Sequence, residues 1–78
     1  MTTIRPLHTI AADIRKTWPR VNYAAVPYLD AMHSLDKITD QYICDSGRSI
    51  VTYFLSNATT WRGDDARRIK AELRGMMT

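Results

Sequence analysis

Apolar residues recur at helical spacing in four separate stretches of this chain, with polar residues filling the intervals. Leu7, Ile10, Ala11, Ile14 and Trp18 stand at i, i+3, i+4, i+7 and i+11, which at about 100° per residue puts them on one face, opposite Arg5, Thr9, Ala12 and Lys16. A helix is predicted over 4–18, with Thr3 as N-cap and Pro6 in the first turn, where its missing N–H has no partner to lose; Pro19 ends it. Ala25, Tyr28, Leu29, Met32 and Leu35 repeat the pattern over 24–35, with the regular turns starting near Val26 because Pro27 cannot lie deep inside a helix. The stretch 36–44 has only Ile38, Tyr42 and Ile43 as apolar anchors and reads as a connection with one short helical turn.

Asp45 is the expected N-cap of a third helix over 46–58, with Ile50, Val51, Phe54, Leu55 and Ala58 facing inward. Its other face, Ser49, Thr52, Tyr53, Ser56 and Asn57, is uncharged, and Arg48 is the last charge before Arg62, which predicts a central helix enclosed by the others. A fourth helix is expected over 62–76, with Ala66, Ile69, Leu73 and Met77 inward, Asp64 and Asp65 at its positive end, and Asp64 paired with Arg68. The expectation is an all-α fold, a compact bundle of four helices forming one domain over residues 1–78.

At 78 residues, 45% hydrophobic and 24% charged, the chain is too apolar for disorder, and folding buries only about 60% of the unfolded surface, so the core is small. The absence of a long apolar run speaks against a membrane span and a signal peptide, and the expected location is the cytoplasm. A single cysteine, Cys44, agrees with that compartment and reads as a buried structural thiol.

The net charge of +3 is unevenly spread. Residues 1–20 hold four basic groups and one acidic, 21–60 two and four, and 61–78 five and three. If the first and last helices lie side by side, their basic faces would merge into one positive surface. The plainer reading is an ordinary excess of cations on solvated faces.

Two stretches, VNYAAVPYLDAM from Val21 to Met32 and DSGRSIVTYFLSNATTWRGDDARRIKAEL from Asp45 to Leu73, resemble a group of small uncharacterised proteins encoded by phages and prophages of Gram-positive bacteria, actinobacteria included. The resemblance spans most of the chain and is most specific around SNATTWRG, Ser56 to Gly63. It implies a phage-borne origin, carries no established activity and transfers no catalytic residue.

Candidate chemistry is sparse. A zinc site needs about four Cys or His ligands at close spacing, whereas His8, His33 and Cys44 lie on separate segments. Asp36, Asp40 and Asp45 lack the alternation of a calcium loop. Ser46-Gly47-Arg48-Ser49 lacks the setting of a nucleophile elbow, and the two serines are better placed to start a helix. No glycine-rich phosphate loop is present, so neither an enzyme nor a cofactor or metal is expected.

Candidate binding residues are Arg67, Lys70 and Arg74, along one flank of the last helix, and the neighbouring pair Trp61 and Arg62. The three cations suit phosphates or an acidic protein face, unless their stems merely cover the core edge. Trp61 beside Arg62 has the composition of a binding hot spot, with core packing as the competing reading, and burial of the indole decides between them. A helix-turn-helix is disfavoured because the connection from Leu35 to Asp45 exceeds the usual three or four residues. Expected function is therefore binding of a protein partner, a host factor among the candidates, with a nucleic-acid-binding module on the basic terminal helices as the alternative. Apolar Met76 and Met77 at the C-terminus suggest a homodimer.

Overall fold

A computed structural model describes residues 5–43 and 45–77. In chain order they form α1 (Leu7–Thr17), α2 (Val26–Met32), β1 (Gln41–Tyr42), β2 (Asp45–Ser46), α3 (Gly47–Ser56) and α4 (Asp64–Met76). The fold is mostly helical, with one small antiparallel ladder pairing Gln41 with Ser46 and Tyr42 with Asp45.

Helix α1 starts at Leu7, where its apolar stripe begins, rather than at residue 4, because Arg5 and Pro6 precede it in non-helical conformation and Pro6 is its N-cap. Among the described residues no side chain caps it. Instead the N–H groups of Leu7 and His8 donate to the carbonyls of Asp36 and Leu35, at 2.8 and 2.9 Å, so a distant loop satisfies donors that a local cap usually takes. The expected cap Thr3 lies outside the described residues, as does Cys44. Asn22 organises the entry to α2 by accepting from the N–H of Ala24 through its side chain and from Ala25 through its carbonyl. Pro27 sits in the first turn of α2, where it removes no helical bond. The helix ends at Met32 rather than Leu35, since Ser34 and Leu35 close tighter bonds to Ala31 and Met32.

The 36–46 connection contains the hairpin instead of a helical turn. Asp40 holds its approach by accepting the N–H groups of Asp36 and Lys37, at 3.1 and 2.9 Å. Those bonds keep its carboxyl below the usual carboxylate range. Asp45 belongs to β2, and Ser46 is the true N-cap of α3, its hydroxyl accepting from the N–H of Ser49 at 3.1 Å. Gly47 opens α3 against the preceding loop: a Cβ there would meet the Ile38 carbonyl oxygen at 2.8 Å and that of Lys37 at 3.0 Å.

All four helices contribute to one apolar core. At one end Trp18 stacks on Trp61 with ring centres 5.2 Å apart, and Phe54 meets both edge-on at 6.2 and 6.4 Å. Helix α1 packs along both α2 and α4, while α3 packs chiefly on α2. Enclosure of α3 does not hold: Thr52 and Ser56 are exposed and Tyr53 is half exposed. Its uncharged polar groups satisfy themselves on the helix backbone, with Thr52 donating to the carbonyl of Arg48, Ser56 to Thr52 and Asn57 to Tyr53. Met76 and Met77 are half-buried against the core, which removes the exposed apolar end that suggested a homodimer.

Candidate functional site

Helix α4 buries Ala66, Ile69 and Leu73 and turns two differently charged flanks outward. The flank toward α1 is neutralised. Arg5 grips Glu72 through two bonds, 2.9 and 2.7 Å, and reaches Asp13 at 3.1 Å, while Arg68 bridges Asp13 and Asp65 at 3.3 Å each. Burial pushes the Asp13 carboxyl up, but the hydrogen bonds from Arg68 and Arg5 together outweigh it and hold the group below its ordinary range. The terminal helices thus do lie side by side, yet their charges meet as pairs rather than merging into a positive surface. Asp64 pairs with Arg67 at 3.6 Å on the open surface, not with Arg68.

On the opposite flank Arg62, Arg67, Lys70 and Arg74, with Trp61, Gly63 and Ala66, line a shallow depression of about 380 Å³. All five candidate residues, Trp61 included, therefore meet at one place. Gly63 makes the junction: with φ at +111° and ψ at −177° it occupies a region open essentially to glycine alone, and it turns the chain from Trp61 and Arg62 into α4. Lys70 ties the junction down, donating to the Trp61 carbonyl at 2.6 Å with its ammonium 5.9 Å from the centre of the indole. Desolvation, and then the charges of Arg74 and Arg62, lower the Lys70 pKa.

The indole of Trp61 is only 4% exposed and stacked on Trp18, so the hot-spot reading of Trp61 is corrected: it is core, and its carbonyl, not its ring, serves the depression.

The remaining chemistry is dispersed. His8 and His33 are exposed, and His33 accepts from the Nε of Arg15 at 2.9 Å while Arg15 also pairs with Asp30. Ser46 and Ser49 hydrogen-bond to each other at the start of α3. Among the described residues no group of three or more His, Cys, Asp or Glu could hold a metal ion, and no helix is long and apolar enough to cross a membrane.

A second surface carries no charged motif. Two charge-free stretches, 21–29 and 49–61, fold against each other as α2 packs on α3. The Tyr28 and Tyr53 rings lie 5.5 Å apart, Tyr53 is 50% exposed, and Asn22 donates to the Asn57 carbonyl. Tyr23, next to Asn22, is 87% exposed. The signal was present in the sequence as two runs without charge, but which members face outward depends on how the helices pack. Comparison of the chain with protein-family models, with curated proteins and with solved structures returns no match.

Proposed function

We propose that this chain is a non-catalytic binding protein whose partner is another protein, docked on the α2–α3 face. The carrying observation is that face: Tyr53, 50% exposed and 5.5 Å from Tyr28, with exposed Tyr23 in the segment that leads into α2, on two stretches without a charged residue. Tyrosine supplies large contact area at low entropic cost, and depletion of charge marks the centre of protein interfaces. Asn22, Thr52, Ser56 and Asn57 already have partners within the fold, so burying the face strands few of their polar groups. The resemblance of the chain to phage-encoded proteins extends the reading to a phage protein in the host cytoplasm, with a host factor as partner.

The test is affinity capture from lysate of the cells that make the protein, using the unmodified chain and the double variant Tyr23→Ala/Tyr53→Ala as bait. A specific protein captured by the first should be retained at least about tenfold less by the second, the loss corresponding to about 1.4 kcal/mol for the tyrosine pair. Capture should survive nuclease and change little with salt. Equal capture by the double variant, or loss on nuclease treatment, would sink the reading.

A further inference from the structure

We infer that the depression beside α4 is a phosphate-backbone site, where Arg62, Arg67 and Arg74 engage a nucleic-acid duplex without reading its sequence. This goes beyond the protein-binding reading and uses a different surface. The first ground is how charge is sorted across α4. Arg5 and Arg68 are absorbed by Asp13, Asp65 and Glu72, whereas among the described residues the one ion pair made by a cation of the depression is that of Arg67 with Asp64, which is 99% exposed and 3.6 Å away. Arg62 and Arg74 make no ion pair among the described residues. Like charges crowded round one concavity repel, and a polyanion placed there relieves that repulsion.

The second ground is reach. Arg67 and Arg74 stand seven residues apart on one flank, about 10 Å along the helix axis at 1.5 Å per residue. A row of that length spans more than one phosphate of a strand, whose charges repeat every 3.4 Å or so of axial rise. Arg62 extends the row beyond the start of α4, held in position by the Lys70 bond to the neighbouring Trp61 carbonyl. Guanidinium groups present paired donors that match phosphate oxygens.

The third ground selects nucleic acid over an acidic protein. Stable protein contacts centre on a buried aromatic or aliphatic anchor, and the one aromatic among the described lining residues, Trp61, is already in the core. What is left is an electrostatic surface with no ring free to stack on bases. Such a surface suits the backbone of a duplex, which carries one charge per roughly 1.7 Å.

The experiment is fluorescence anisotropy with a labelled duplex of about 20 base pairs at a series of salt concentrations. Three phosphate contacts give a log–log slope of about −2.7, or about 40-fold weaker binding between roughly 50 and 200 mM salt. The triple variant Arg62→Gln/Arg67→Gln/Arg74→Gln should bind at least about tenfold more weakly with a flattened slope, while circular dichroism shows its helices intact, glutamine being a good helix former. A control with the same loss of charge elsewhere, Lys16→Gln/Arg20→Gln/Lys37→Gln, should keep most of the affinity, which separates a site from mere net charge. No binding at low salt, equal weakening by the control, or an unchanged triple variant would overturn the inference. So would polyglutamate competing as well as unlabelled duplex, which would assign the depression to an acidic protein.

Discussion

Truncating Phe54 to alanine tests the core at its centre. The side chain is fully buried and meets Trp18 and Trp61 edge-on, so its removal deletes two aromatic contacts and leaves a cavity that two stacked indoles cannot readily fill. Phe→Ala at such sites costs about 3–5 kcal/mol. For 78 residues the whole stability amounts to about 4–12 kcal/mol, from roughly 0.05–0.15 kcal/mol per residue. At about 4–8 °C per kcal/mol for a domain of this size, Tm should fall by at least about 12 °C. The chain contains two tryptophans, both in this cluster, so their fluorescence reports its loss directly while far-UV circular dichroism follows the helices. Phe54→Leu, which leaves a smaller void, should fall between the two. A Phe54→Ala protein melting within a degree or two of the parent would refute the aromatic cluster as the keystone of this fold.

Gly47→Ala should destabilise by about 1–3 kcal/mol despite alanine's better helix propensity, because its Cβ would press on the Ile38 and Lys37 carbonyls; Gly75→Ala, with open space around it, should instead stabilise by about 0.5–1 kcal/mol, and paired urea melts would show whether the signs differ. Ile43, exposed and held at φ +58°, should gain about 1 kcal/mol on replacement by asparagine, which tolerates that conformation; a loss in thermal melts would show that its side chain supports the hairpin. Because the Asp13 carboxyl titrates below its unfolded value in the folded protein, its stabilisation is present above about pH 4 and is lost as pH falls through the folded value. Asp13→Asn should therefore be less stable at neutral pH, by about 1 kcal/mol, and less sensitive to acid, with the two stability curves converging at low pH; parallel curves would contradict the ion-pair network.

The inward stripes Leu7/Ile10/Ala11/Ile14/Trp18, Ile50/Val51/Phe54 and Ala66/Ile69/Leu73 were legible because helical periodicity is local: a face is set by residues three or four apart, and every one of these is buried. The basic row Arg67, Lys70 and Arg74 was legible for the same reason. Helix ends were less so, since α1 begins where a loop some 28 residues later supplies carbonyls to Leu7 and His8, and α2 stops short as that loop turns back. The two-residue strands carry too little sequence to show any period. The uncharged side of α3 looked like a buried face, but hydroxyl and amide groups can bond to their own helix and remain in water, so lack of charge alone does not imply enclosure. Charge counts could not say which cations are paired, because Arg5 finds Glu72 67 residues away and Arg68 finds Asp13 55 residues away. Only the packing of α1 on α4 decided that one flank of the last helix is neutral and the other basic, and only the stack on Trp18 decided that Trp61 belongs to the core.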